Sequence, residues 1–128
     1  MNTTQNTTTP QSNLFCGDNE LMKIDLYLDN VFGKGSIQAL TIMAELAELK
    51  KMLMEEVVHF VFEKTDGTTR DAYGTRAVDV IRKYDTGSSN KKPQRAFNGT
   101  FPYFDIEKGE WRCFKVDRFL KIDKDYVL

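Results

Sequence analysis

The hydrophobic repeat of this chain changes period once, near residue 56, and that change limits the fold more than any other feature. Before it, Ala39, Ile42, Leu46, Leu49 and Leu53 recur at alternating spacings of three and four residues, one side of a helix. After it, stretches such as VVHFVFEK and EWRCFKV alternate apolar with polar, the mark of half-buried strands. A chain of 128 residues built this way folds as one α+β domain with a single core. The expected architecture is a tail at 1–13, a helical segment over 14–55 and a small antiparallel five-stranded barrel over 56–128.

Residues 1–13, MNTTQNTTTPQSN, are Thr, Asn and Gln without apolar periodicity and are expected to be disordered. Residues 19–32 read two ways. Leu21, Ile24, Leu28 and Val31 form a helical stripe behind a candidate Asp18 N-cap, whereas Met22, Ile24, Leu26 and Leu28 alternate like a strand. The Phe32-Gly33 stop signal favours the helix. Ser36 caps the next helix, which runs to about Met54. Its stripe is expected to dock on its own sheet. The alternative is a homo-oligomer or a protein partner held through Ala39, Ile42, Leu46, Leu49 and Leu53, although about two heptads are short for a coiled coil.

In the second half, the Asp66-Gly67 turn joins two strands into a hairpin, and residues 76–84 suggest a short helix. A polar basic loop with Lys91, Lys92 and Arg95 leads to a second hairpin turning at Asn98-Gly99. Lys108-Gly109 makes a further turn, and RFLKI closes the set. Five short, bent strands suggest a barrel because closure removes exposed edges, and Pro102 suits a bulge or barrel corner. A two-residue turn at Lys108-Gly109 would set Asp105 opposite Arg112 and Tyr103 opposite Phe114, with Phe104, Ile106, Trp111 and Cys113 as one apolar face. The same turn length at Asp66-Gly67 would set Glu63 opposite Arg70. A three-residue turn would slip the register by one and reverse the faces.

Catalytic and metal chemistry find little support. The only histidine, His59, alternates with Val57 and Val61 and reads as a structural residue, away from any recognisable nucleophile context. The GKGS stretch at 33–36 has the wrong order for a phosphate loop. Asp123 and Asp125 read as solvent-facing charge, and Cys16 and Cys113 as free thiols without metal spacing. No enzyme activity, cofactor or metal is expected. The start lacks the cationic and apolar regions of a signal peptide, and no apolar run reaches the ~18 residues that span a bilayer. Cytoplasm is the expected compartment.

The net charge of -1 hides a split. Residues 1–55 hold four lysines against seven carboxylates, and residues 56–128 hold fourteen cations against twelve carboxylates. Cations and aromatics interleave in WRCFKVDRF. Gathered on one barrel surface, Arg70, Arg76, Arg112, Lys115 and Arg118 would grip an anion through charge-assisted hydrogen bonds. Tyr73 or Trp111 would supply a plane on which a base stacks. The opposing explanation is cross-strand ion pairing, which needs no ligand.

The run DGTTRDAYGTR followed by YFDIEKGEWRCFK resembles a family of short bacterial and phage proteins grouped with the WYL-like domains, small barrels similar to the Sm fold. The resemblance covers about residues 56–122 and rests on the DG-T-x-R turn, the Gly-Thr step and the Tyr-Phe-Asp…Trp-Arg-x-Phe hairpin. It implies regulatory sensing of nucleotides or nucleic-acid fragments through basic residues lining a groove, here Arg70, Arg76, Arg112 and Lys115. The literal Trp-Tyr-Leu signature is absent, since Arg112 and Cys113 follow Trp111, and no helix-turn-helix is present. The combined expectation is a non-enzymatic module that binds an anionic ligand on a basic barrel face.

Overall fold

The computed structural model describes residues 18–85 and 96–124. The expected tail at 1–13, Cys16, Asp125 and the loop cations Lys91, Lys92 and Arg95 lie outside the described residues. Helices α1 (Asn19–Phe32) and α2 (Ile37–Leu53) precede strands β1 (Val58–Glu63) and β2 (Thr69–Thr75). A short helix α3 (Val78–Tyr84), strands β3 (Thr100–Asp105) and β4 (Glu110–Lys115), a 3-10 turn at Val116–Arg118 and strand β5 (Phe119–Ile122) follow. The strands form one antiparallel sheet in the order β4-β3-β2-β1-β5.

The caps decide residues 19–32 in favour of helix. The Asp18 carboxylate accepts from Leu21 N, and Gly33 leaves the helix at φ 99°, a conformation that glycine adopts without strain. Helical spacing turns Leu21, Ile24 and Leu28 inward and leaves Met22, Leu26 and Val31 exposed. In α2, Ser36 accepts from Ala39 N, as its N-cap position demands. Ala39, Leu46, Leu49 and Leu53 are buried and Ile42 is partly buried against the same core. The stripe offered to an oligomer or protein partner is therefore occupied by the chain's own interior.

Both hairpin registers differ from the two-residue expectation, with opposite consequences. At the first, Lys64 N donates to the Thr68 carbonyl, the turn holds residues 65–67, and Phe62 pairs with Arg70. That one-residue slip moves Arg70 to the inward face of β2. At the second, the turn holds residues 106–109 and Phe104 pairs with Trp111. A slip of two preserves the faces, so Asp105 and Arg112 still share a side. That side is the core side: Phe101, Tyr103 and Phe114 lie on it, while Cys113 on the expected apolar face is exposed. The Ala96-Phe97 segment is not a strand, and Phe97 instead packs edge-on to Tyr27.

Phe60 sits at the centre of the interior, against Tyr103 at 5.0 Å, Phe114 at 5.6 Å and Phe119 at 6.4 Å between ring centroids. Among the described residues no pairing joins β4 to β5, so the sheet is open. The two edge strands meet instead through the Phe114 and Phe119 rings, 5.6 Å apart. Among the described residues, helices and sheet share this one core. No helix among the described residues is long and apolar enough to cross a membrane.

The Gly-Thr step at the end of β2 has two structural uses. A Cβ on Gly74 would stand 2.6 Å from the Tyr103 ring and 3.2 Å from Phe60, so only glycine lets that ring cross the strand. The Thr75 hydroxyl donates to the carbonyls of Leu53 and Glu56, and Arg76 N also donates to Leu53, which closes the end of α2. Gly74→Ala is expected to destabilise the protein by about 1–3 kcal/mol, the usual cost of overpacking. Urea denaturation checks this as a lower midpoint with an unchanged slope.

Candidate functional site

Asp105 ends β3 with a fully buried carboxylate and organises one end of the sheet. Its Oδ1 accepts from the backbone N–H groups of Glu107 (2.9 Å) and Lys108 (3.1 Å), which fixes the four-residue turn. Its Oδ2 accepts from Arg70 Nη2 at 2.8 Å and lies 3.9 Å from Arg112 Nε. Arg70 reaches this carboxylate because the first hairpin turned it inward. Arg112, on the same face of β4, is the more exposed of the two, with 39% of its side chain in solvent. Its Nη1 donates to Glu110 at 3.2 Å, while its Nη2 has no partner among the described residues.

Tyr103 shares this face, two residues before Asp105. Its hydroxyl and the Nε of Arg70 are both buried without a hydrogen-bond partner. A side-chain hydrogen bond between the phenol and the guanidinium influences both groups, but its geometry is poor, so neither buried atom makes a well-formed bond. Burial raises the Tyr103 phenol above its ordinary range, opposed by the Arg70 charge. Burial pulls the Arg70 guanidinium down, but Tyr103 and Asp105 raise it further. Both groups thus remain protonated donors at neutral pH. A buried donor left without an acceptor costs about 1–3 kcal/mol, so a native pair calls for a cause. Two guanidinium groups here share one buried carboxylate, and the second carboxylate, Glu110, stands on the exposed rim.

The seven expected ligand-binding residues do not form one surface. Arg70 and Arg112 come together. Trp111 and Lys115 lie on the opposite face of β4, and Trp111 packs edge-on against Phe104 at 5.9 Å. Tyr73, on the outer face of β2, stacks on His59 at 4.5 Å. Arg118 donates to Glu63 at 3.0 Å, taking the carboxylate expected to face Arg70. Arg76 is buried: Nη1 and Nη2 meet the Glu20 carboxylate at 2.8 and 2.9 Å, Nε donates to the Pro102 carbonyl, and the Phe101 ring lies 4.1 Å beneath. Tyr103 and Asp105 were missed as site residues because their role depends on the hairpin registers.

His59 has two carboxylate neighbours, Asp71 at 2.8 Å from Nε2 and Asp123 at 2.9 Å from Nδ1, drawn from β2 and the end of β5. Cys113 sits on β4, at the other edge of the sheet. Among the described residues no group of three or more His, Cys, Asp or Glu is arranged to hold a metal ion.

Residues 46–120 match the WYL_2 family, described as an Sm-like SH3 beta-barrel fold. The matched span begins inside α2, so the unit includes the last turns of that helix together with the Thr75 and Arg76 bonds that close it. The chain is 36% identical over 75 residues to an uncharacterized 11.5 kDa protein of Enterobacteria phage T4, encoded in the Gp31-cd intergenic region. That alignment covers 59% of this chain and 74% of the phage protein. No solved structure matches.

The internal pairing of Arg76 predicts an acid-sensitive fold. Burial alone would raise the Glu20 carboxyl, but hydrogen bonds and charge from Arg76, then Lys50, lower it from 4.5 to about 2. A depressed folded pKa stabilises the protein above pH 4.5, and that stability is lost as pH falls toward about 2. The loss is at most about 3 kcal/mol, reduced by solvent screening of this partly exposed carboxyl. Arg76→Ala is expected to cost about 3–5 kcal/mol at neutral pH by leaving Glu20 buried with Lys50 alone, and to flatten this acid limb. Thermal melts between pH 2 and 6 provide the check.

Proposed function

The chain belongs to the WYL_2 family, and we propose that it is a non-enzymatic, regulatory binding module for an anionic ligand at the Arg70–Tyr103–Arg112 end of its sheet. The ligand is the phosphate of a nucleotide or of a nucleic-acid end. The observation that carries this reading is the pair of buried polar atoms without a well-formed hydrogen bond, Arg70 Nε and Tyr103 Oη, beside the Arg112 guanidinium, 39% exposed. A phosphate oxygen accepts from all three groups, and guanidinium forks match its geometry. The dispersal of Arg76, Arg118 and Lys115 supports a compact ligand over an extended strand, because among the described residues these three cations do not form a row with Arg70 and Arg112.

Binding of labelled nucleotides and short single-stranded DNA and RNA, followed by fluorescence anisotropy at two salt concentrations, tests the reading. The expected salt dependence is shallow, that of about one or two phosphates. Arg112→Gln is expected to weaken binding at least tenfold, the loss of one charge-assisted bond. Tyr103→Phe is expected to weaken binding while leaving stability unchanged or higher, since it removes an unpaired buried hydroxyl. Lys115→Gln is expected to change neither. No binding of any of these probes at low salt overturns the proposal.

A further inference from the structure

Helix α2 is apolar on two sides, and only one is accounted for by the core. Its outer side carries Ile37, 81% exposed, together with Leu40, Ala44, Ala47 and Met54, 58% exposed. Leu40, Met43, Ala44, Ala47 and Met54, with Leu21 of α1, line a groove of about 710 Å³ between the two helices. Lys50 Nζ lies 2.8 Å from Asp18, so the start of α1 stands beside the end of α2 and the helices run antiparallel. Contiguous exposed apolar surface on a small domain marks an interaction site.

The charges on the groove indicate what covers it. Asp18 and Lys50 neutralise each other within the chain, and Glu48 is paired with Lys124 at 3.0 Å. Asp25 and Lys51 also line the groove, and neither has an ion pair among the described residues. Asp25 is half-buried, and its carboxyl is raised by that burial and by the nearby Asp29. The groove thus holds an acid without a base on α1 near its middle, and a base without an acid on α2 toward its C-terminal end.

We propose that this face pairs with the same face of a second copy, across a twofold axis near Ala44 and Ala47. In an isologous contact, residue i meets j and j meets i. Antiparallel crossing of the two α2 helices at the small residues Ala44 and Ala47 allows close approach. It sets Lys51 of each protomer at the Leu40 end of the other, where Asp25 and Asp29 stand on α1. Both unpaired charges are then met twice by one symmetry operation, and the Met54 and Ile37 side chains meet across the same axis. A partner of unrelated sequence would satisfy the apolar groove equally well. The reciprocal placement of one free acid and one free base is what favours self-pairing. This interface uses the side of α2 opposite to the Leu46 and Leu49 stripe.

Sedimentation equilibrium of the full chain tests the proposal, with a thermal melt of each variant as a check on folding. The wild-type protein is expected to dimerise reversibly, and Ala44→Glu, at an exposed position, is expected to yield a folded monomer. Lys51→Glu and Asp25→Lys are each expected to weaken the dimer about tenfold, through two lost rim pairs. An equimolar mixture of those two variants is expected to recover dimerisation, because each then faces its opposite charge at both contacts. A wild-type protein monomeric at every concentration reached overturns the proposal. A dimer untouched by Ala44→Glu also overturns it, as does a mixture no tighter than its components.

Discussion

The fold depends on one buried guanidinium. Arg76 follows β2 and holds the start of α1 through Glu20, the backbone of β3 at Pro102 and the face of Phe101. Its own N–H, with the Thr75 hydroxyl, also ties down the end of α2 at the Leu53 carbonyl. The helical hairpin is thereby fixed to the sheet at both of its open ends. Lys50 joins by bridging Asp18 and Glu20, so the N-cap of α1 belongs to the same network. Ion pairs of this kind contribute little net energy over an apolar replacement, because desolvation offsets the attraction. Their effect is to select one arrangement, since any other docking of the helices leaves Glu20 or Arg76 buried and unmatched. An open five-stranded sheet with side chains at its seam gains most from such a constraint.

How much of this was legible follows from which signals are local. Periods, caps and turn residues placed both long helices and all five strands. Face assignment is less local, because it depends on turn length counted to a single residue. The turn at 65–67 is one residue longer than two, which reversed Arg70; the turn at 106–109 is two longer, which left Arg112 and Asp105 together. The sequence pattern does not separate those cases, since Asp66-Gly67 and Lys108-Gly109 suit either length. Arg76 was illegible for another reason. It lies just past a strand end, where alternation no longer says which way a side chain points.

The basic excess of residues 56–128 also changes meaning once partners are known. Arg118 is met by Glu63, Arg76 by Glu20, and Arg70 by Asp105. Most of the apparent patch is internal bookkeeping across strands, and composition alone overstates the free positive charge. The helical stripe shows the converse. It was weighed as a partner surface and proves to be core, while the unclaimed apolar surface lies on the other side of the same helix. In both cases the direction a side chain faces decided what it meets.

Arg70 and Arg76 make the distinction within one strand region, six residues apart in sequence. At Arg76 every guanidinium nitrogen has an acceptor and the ring of Phe101 covers the plane, so nothing remains for a ligand to satisfy. At Arg70 one nitrogen is met by Asp105 while the buried Nε is not, and the adjacent Tyr103 hydroxyl is in the same state. The two ends differ in the number of acceptors the fold supplies. Burial without acceptors is a cost that folding alone does not recover. The proposed oxygen ligand would remove that cost at the Arg70 end, whereas at the Arg76 end it would have to displace Glu20 and break the tie between helix and sheet. The physical asymmetry makes Arg76 architectural and leaves the Arg70 end as the place where the proposed ligand would find unmet polar groups.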